Sequence, residues 1–308
     1  MKIVIAGGTG NLGKNLIGVL SKSHDIIVLT RKKTETLSKK VKLVNYSQDI
    51  KNWCNYLKDS DVIINLVGES IANKRWTKKQ KQIILNSRLN AIQKISDSLK
   101  FIKHKPKIIM NASAVGYYKS SSTKVDESDG PGDDFLSNVC VKWEEKANEE
   151  FSSQTSQLIL LRIGVVLDSN SGMLSKLILP FKLFLGAIIG NGKQFIPWIH
   201  INDVSKIICY LMKNKIQGPV NLVSPKIDDN ENFSRKLAKA LKTFVFLKVP
   251  SFVIKLLLGQ MSTMLLKNSN INPKALLDSG YKFEFENLDD ALNDLLSSLE
   301  VLAVNSRC

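Results

Sequence analysis

The chain has 308 residues, enough for one large α/β domain or for a domain with a smaller lobe. A formal net charge of +16 raises nucleic acid or an anionic membrane as partners, but 38 of the 44 basic residues are Lys, and they are scattered along the chain. That scatter fits a solvated surface, so neither specific nucleic-acid binding nor a membrane partner is expected.

The chain opens on MKIVIAGG, a strand pattern with no signal or transit segment before it, and the expected compartment is the cytoplasm. The four Cys (Cys54, Cys140, Cys209, Cys308) stand far apart with no C-x-x-C, so no metal site or disulfide framework is implied. KIVIA (2–6) reads as a buried strand, 11–22 as a helix, and 25–30, 41–46 and 61–68 as further strands. A long helix is expected over 77–102, a fifth strand over 106–114, a helix over 134–147 and a sixth strand over 157–167. Short apolar runs alternating with helices predict a parallel sheet covered on both faces. The polar, Gly- and Pro-containing stretch 119–133 reads as a loop.

Beyond residue 170 the pattern changes. Helices are expected at 172–186, 231–242, 251–267, 273–279 and 288–299, and strands near 218–224 and 243–248. A loop, GNGKQFIPW (190–198), leads into 199–213, which reads as a short strand and another helix. The expected division is a nucleotide-binding domain over 1–170 with 200–224 returning to it, and a substrate-side lobe over 171–199 and 225–308. The runs LILPFKLFLGAIIG (177–190) and FVIKLLLGQMSTMLL (252–266) are apolar but short and broken by Lys. Neither reaches the roughly 20 apolar residues a membrane-spanning helix needs.

GGTGNLG, residues Gly7, Gly8, Thr9, Gly10, Asn11, Leu12 and Gly13, lies between the first strand and the first helix. Gly8, Gly10 and Gly13 satisfy G-x-G-x-x-G, where a tight turn, close backbone approach to a pyrophosphate and close helix packing each require glycine. The helix N-terminus that follows favours phosphate. The second strand runs into Thr30, Arg31, Lys32 and Lys33, with no acid before Glu35. A site for NAD would place an acid there for the ribose hydroxyl. An Arg suits a 2′-phosphate, so NADP(H) is expected over NAD(H).

NLVGESIANKRWT (65–77), SAVGYY (113–118), PGDDFL (131–136) with VCVKWE (139–144), LLRIGVVL (160–167) and WIHINDV (198–204) carry a closer likeness, continued by VPSFVIKLLLGQM and NPKALLDSGYKF within 249–283. Together with GGTGNLG, these segments resemble the extended short-chain dehydrogenase/reductase superfamily. They most resemble its atypical NAD-dependent epimerase/dehydratase-like branch, some members of which are labelled cell division inhibitors. The resemblance spans essentially the whole chain. It implies a Rossmann-like doubly wound parallel sheet with a smaller C-terminal α/β lobe closing over a substrate cleft. It also implies that Gly7, Gly10 and Gly13 meet the phosphates and that Arg31 meets the 2′-phosphate. Leu66, Val67 and Gly68 would run beneath the nicotinamide-side ribose, with Asp49 a looser candidate at the adenine.

The superfamily works with Tyr-x-x-x-Lys on one helical turn, the Lys holding the ribose and lowering the Tyr pKa. Four residues after Tyr46, Tyr56, Tyr117, Tyr118, Tyr210 and Tyr281 stand Ile50, Ser60, Ser121, Ser122, Asn214 and Phe285. The pair is absent. On the helix that should carry it stand Val139, Cys140 and Trp143, while Lys142, Glu144, Glu145 and Lys146 fall elsewhere on the turn. Ser113 matches the superfamily's substrate-hydroxyl Ser, or is a strand-end serine bonded to backbone. Tyr117 or Tyr118 could donate a proton, or pack. Arg75, Trp76, Arg162 and His200, the last with Asp203, are candidates for the substrate side, against bland readings as surface cation, core ring and satisfied histidine. The leading expectation is an NADP(H)-dependent oxidoreductase or epimerase acting on a small polar substrate, sugars included, by non-standard proton chemistry. The rival is a non-catalytic NADP-binding sensor or regulator. A metal is not expected, and the oligomeric state is open, a homodimer among the options.

Overall fold

The computed structural model describes residues 1–31, 33 and 35–305. Lys32 and Cys308 fall outside them. The chain forms two compact units, one of residues 1–117, 133–162 and 205–220, the other of 118–132, 163–204 and the remainder from 221.

The first unit opens with β1 (Lys2–Ala6), α1 (Asn11–Leu20), β2 (Asp25–Thr30), β3 (Glu35–Ser38), β4 (Val41–Asn45) and β5 (Val62–Asn65). Then follow α2 (Lys78–Leu99) and β6 (Ile108–Ala114), and, after β7 (Ser121–Val125) of the second unit, α3 (Phe135–Phe151) and β8 (Gln157–Ile163). Eight strands form one sheet, ordered β13-β8-β6-β5-β1-β2-β4-β3, with β13 at Gly218–Leu222. β1 is parallel to both β2 and β5, β5 to β6 and β2 to β4; β3 runs antiparallel to β4. Ile3, Val4, Ile5 and Ala6 are fully buried, as a strand covered on both faces must be. Burial of each large aliphatic side chain contributes about 1.5–3 kcal/mol.

Helix boundaries follow local chemistry. Thr77 caps α2 by accepting from Gln80 N–H at 3.1 Å, and Asp134 caps α3 by accepting from Ser137 N–H at 3.0 Å. The buried face of α3 carries Val139, Cys140, Trp143, Ala147 and Phe151, the stripe its periodicity predicts. Glu144 corrects that reading, because it is buried with them.

The second unit holds β9 (Val165–Asp168), α4 (Gly172–Lys182), β10 (Ala187–Ile189), β11 (Phe195–Ile196) and β12 (Trp198–His200). α5 (Ile201–Leu211) runs from the second unit into the first. Beyond residue 221 lie β14 (Asp228–Asp229), α6 (Asn230–Ala240), β15 (Leu247–Val249), α7 (Ser251–Leu258), α8 (Thr263–Leu266), β16 (Ser269–Ile271), α9 (Lys274–Asp278) and α10 (Leu288–Asn305). Its strands pair in twos: β9 with β12, β10 with β15, β11 with β14 and β7 with β16.

Three expectations change. The strand expected over 157–167 is two, since β9 leaves the main sheet to pair with β12; at Gly164, between them, a Cβ would sit 2.3 Å from the Pro197 carbonyl oxygen. The stretch 119–133 is not all loop, because β7 finds a parallel partner in β16. The helix expected over 251–267 stops at Leu258, where Gly259 takes φ +56, and resumes at Thr263. Among the described residues, no helix is long and apolar enough to cross a membrane.

One buried carboxylate ties the second unit's last loop to the start of α5. Asp203 is fully buried and accepts from the Glu284 and Phe285 N–H groups, both at 3.0 Å. Asp203→Ala strands both donors and should cost about 2–4 kcal/mol in urea unfolding, with Asp203→Asn, which keeps one acceptor, costing about half.

Candidate cofactor and active site

The sheet order places β2 and β5 on opposite sides of β1. The chain moves outward through β2 and β4, then returns to the other side at β5. That reversal is a topological switch point, and ligands of open α/β sheets bind where loops diverge at the strands' carboxyl ends. Two loops meet there. Gly7 has φ +82, a left-handed conformation, and a Cβ on it would lie 2.9 Å from the Leu66 carbonyl carbon. A Cβ on Gly13 would lie 2.5 Å from Gly8 Cα, so α1 can start this close to β1 only with glycine. Gly10, the N-cap, is extended, and no side chain caps the helix. Gly10 and Asn11 are exposed, and Gly7, Thr9 and Leu12 are half-buried beside the buried Gly8 and Gly13. The cradle is therefore open, with the positive end of α1 facing out of it, and its residues fit a pyrophosphate.

The second loop is held as firmly. Leu66 N–H bonds the Ala6 carbonyl at 2.9 Å, and Asn65 accepts from Val67 N–H at 3.2 Å. Asn65 also donates to Asn111 at 2.7 Å, joining β5 to β6. Arg31 is exposed at the end of β2. Asp49, the looser adenine candidate, accepts from Lys51 N–H at 2.9 Å.

Beside this cradle a buried polar cluster joins three elements of the first unit. Arg162 of β8 grips Glu144 of α3 with both ends of its guanidinium, Nε to Oε1 at 2.9 Å and Nη2 to Oε2 at 2.8 Å. Ser113, near the end of β6, donates its hydroxyl to Glu144 Oε1 at 2.6 Å. The Tyr117 ring lies over the Arg162 guanidinium, 3.6 Å from centroid to Cζ. Arg162, Glu144 and Ser113 are 3%, 6% and 3% exposed, whereas Tyr117 is only half-buried. Ser113, Tyr117 and Arg162 are thus brought together, and Ser113 bonds a carboxylate rather than backbone.

Two charged residues escaped the sequence reading. Glu144 was assigned to the solvent side of its helix, yet an Arg inside the apolar run LILLRIGVVL requires a buried anion, and that requirement was the available signal. Arg88 of α2 lies over the Trp143 ring at 4.7 Å and donates to the Ile84 and Glu69 carbonyls at 2.8 and 3.1 Å. Its Cζ would be 3.1 Å from a Cβ on Gly68, so the cation flanks the second loop. Burial pushes its pKa down, but a guanidinium stays charged. Cys140, in contrast, has its thiol pushed up to about 12 by burial and by the Glu144 carboxylate, so it is neither base nor nucleophile.

The other candidates have different partners. Trp76 donates to the Ile71 carbonyl at 2.8 Å and stands edge-on to Phe135 at 4.9 Å, next to the exposed Arg75. Tyr118 and His200 belong to the second unit. Tyr118 is 1% exposed and its hydroxyl donates to Asn221 at 2.7 Å. His200 is fully buried and stacked on Phe285 at 3.9 Å. Asn202 N–H donates to its Nδ1 at 3.1 Å, which leaves the neutral ring's proton on Nε2. Asp294 Oδ2 lies 3.2 Å from that nitrogen, off the N–H direction. No group of three or more His, Cys, Asp or Glu suited to a metal occurs among the described residues.

Two tests follow from these contacts. Arg162→Met leaves Glu144 charged and unpaired and should cost about 3–5 kcal/mol in chemical unfolding, while Arg162→Met with Glu144→Met should recover most of it. Burial lowers the His200 pKa, against the pull of Asp294, Asp203 and Glu284. The unfolded chain therefore takes up this proton first. Wild type should lose stability relative to His200→Gln as pH falls through about 6.5 toward the lower native value, the difference being level above it. Melting temperatures across that range read the effect; a difference independent of pH would show that the ring is not held neutral.

The NAD dependent epimerase/dehydratase family profile matches residues 3–223, and a domain of unknown function, DUF1731, matches 249–295. An epimerase family protein of Staphylococcus haemolyticus is 36% identical over 96% of this chain and 99% of its own length. Epimerase family protein YfhF of Bacillus subtilis is 36% identical over 96% and 98%. The crystal structure of human epimerase family protein SDR39U1 with NADPH superposes with a TM-score of 0.86 at 31% identity, covering 96% of this chain and 99% of that one. UDP-glucuronic acid 4-epimerase from Bacillus cereus, in complex with UDP-glucuronic acid and NAD, shares the fold at a TM-score of 0.72 and 18% identity, over 97% and 100% of the two chains. The glycine loop at the switch point and the relatives that match from end to end agree: this chain belongs to the NAD dependent epimerase/dehydratase family.

Proposed function

We propose that the protein binds NADP(H) in preference to NAD(H) and acts as an epimerase- or reductase-like enzyme on a small polar substrate, sugars included. The observation that carries the reading is the meeting of the Gly7–Gly13 loop with the Leu66–Gly68 loop at the switch point, below an uncapped helix N-terminus. The NADPH in the human relative supports the cofactor. When bound, the nicotinamide supplies or accepts hydride. The chain's residues bind and orient it: the α1 amides on the pyrophosphate, Arg31 on the 2′-phosphate, and Leu66, Val67 and Gly68 beneath the ribose. Arg88, fixed over Trp143 and against Gly68, provides the cation that the missing Lys would have placed near that ribose. Ser113 and Tyr117, steadied by Glu144 and Arg162, are the hydroxyls available to a substrate.

A second reading rests on the same cluster. The Ser113 hydroxyl is already committed to Glu144, and α3 has no Tyr-x-x-x-Lys. A protein that binds NADP(H) without turnover, a sensor or regulator of the kind the cell-division label names, would have this arrangement.

Calorimetry separates the claims. NADPH should bind at least about tenfold more tightly than NADH, and Arg31→Ala should remove most of that difference by weakening NADPH alone. Equal affinities, or equal weakening of both by Arg31→Ala, would overturn the preference. A metabolite screen following NADPH absorbance across sugars, aldehydes and ketones then tests catalysis. Turnover supports the enzyme; tight NADPH binding with no turnover supports the regulator.

A further inference from the structure

The second unit turns apolar side chains toward solvent in a continuous set. From Leu241 to Pro250, half-buried and exposed residues alternate, with Lys242, Phe244, Phe246 and Lys248 on the exposed side. The first three of these lead into β15, which begins only at Leu247. Here Phe244 and Phe246 are 62% and 63% exposed. Their rings lie 5.7 Å apart, and Phe184 is 5.1 Å from Phe244. β10 pairs with β15, Ala187 opposite Leu247, and the exposed Leu183 and Leu185 lie in the turn between α4 and β10. α7 follows β15 at once and exposes Phe252 and Leu256, one turn apart, by 68% and 80%. Single exposed apolar residues need no explanation, but a contiguous group with a polar rim marks a binding surface.

The charge around this face selects its partner. Residues 169–202 and 232–277 contain eleven Lys or Arg and no Asp or Glu. Lys182, Lys248 and Lys255 are exposed among the apolar side chains. An open cleft of about 330 Å³ beside α7 is lined in part by Asn191, Lys193, Ser251 and Lys255, donors suited to phosphate oxygens. Exposed Phe and Leu with interspersed Lys, and no acid, is the composition of an interfacial surface.

We propose that this face docks the protein on an anionic lipid bilayer, with the Phe and Leu side chains entering the headgroup boundary and the Lys side chains on lipid phosphates. A second copy would set two acid-free, Lys-bearing faces against each other. A nucleic acid would use the Lys and leave the Leu side chains wet. The proposal is independent of the cofactor site and departs from the expectation of no membrane partner, which rested on the scatter of the Lys along the chain and on the lack of a spanning segment.

Co-sedimentation of the whole protein with vesicles tests it. The protein should partition onto phosphatidylcholine–phosphatidylglycerol vesicles, and at least about tenfold more weakly onto phosphatidylcholine alone or at high salt. Phe246→Ser with Phe252→Ser and Leu256→Ser should abolish partition at an unchanged melting temperature. Lys182→Glu with Lys248→Glu and Lys255→Glu, all at exposed positions, should weaken partition by a similar factor and covers the case of a triple Ser variant that does not fold. No partition of wild type onto the anionic vesicles, or partition that the charge reversal leaves unchanged, overturns the proposal. So does a dimer in analytical ultracentrifugation that the Ser substitutions dissociate, which would give the face to a second copy.

Discussion

Everything at the candidate cofactor site depends on how closely the backbone can approach itself where β1 ends. Gly7 against the Leu66 backbone and Gly13 against Gly8 leave no room for a Cβ at either position. Because both contacts are backbone to backbone, no rotamer change can relieve them. They bring two loops from opposite sides of the switch point to one place and aim the first turn of α1 outward. A sheet of this order with bulkier residues there would still bury Ile3 to Ala6, but its loops would stand apart. Stability comes from the strands, whereas the close approach of the loops comes from the lack of side chains at Gly7 and Gly13.

The second constraint is the buried Arg162–Glu144 pair. An ion pair in a dry interior contributes little net stability, since desolvation offsets attraction. Its consequence is positional. Glu144 fixes the Ser113 hydroxyl, Arg162 fixes the Tyr117 ring, and β6, α3 and β8 are held in one register at the edge of the cradle. The helix on which the superfamily resemblance leads one to expect a Tyr and a Lys presents Cys140, Trp143 and Glu144. Two of these cannot exchange protons near neutrality, the thiol because burial raises its pKa and the indole because it is a donor only.

The main sheet was legible because parallel strands buried on both faces leave uninterrupted apolar runs, and KIVIA, DIIVLT and DVIINLVG are such runs. The cofactor loop was legible because its glycines are required by local geometry. The polar cluster was only half legible. Ser113, Tyr117 and Arg162 could be named one by one, but Glu144 sits in a row of charges, Lys142, Glu144, Glu145 and Lys146, and periodicity cannot tell which of two adjacent acids turns inward when a distant Arg demands one. Arg88 was invisible for a related reason. Its role depends on a Trp more than fifty residues away in sequence, a contact that no local pattern encodes. Of the second unit's short strands, β7, β10, β11, β14 and β16, two to five residues long, were missed because their partners are equally short and their alternation too brief to register.

The same brevity explains why the exposed aromatic face was not anticipated. Thr243, Phe244, Val245, Phe246 and Leu247 are mostly apolar, and read alone they suggest a buried strand. Burial requires cover on both sides, however, and β15 has only β10 beside it in a two-stranded sheet. Phe244 and Phe246 stand just ahead of β15 (Leu247–Val249), outside the residues it pairs with β10. The charge count misleads in the opposite direction. A net +16 scattered along the chain looks like generic solvation, but the acids are distributed less evenly than the Lys. Where the acids are missing, the remaining Lys create a local field that the sequence average conceals, and the same acid-free stretches carry Phe184, Phe244, Phe246 and Phe252. Apolar exposure and the exposed Lys182, Lys248 and Lys255 coincide on one unit, and a surface with both properties is suited to meeting lipid phosphates and acyl chains together.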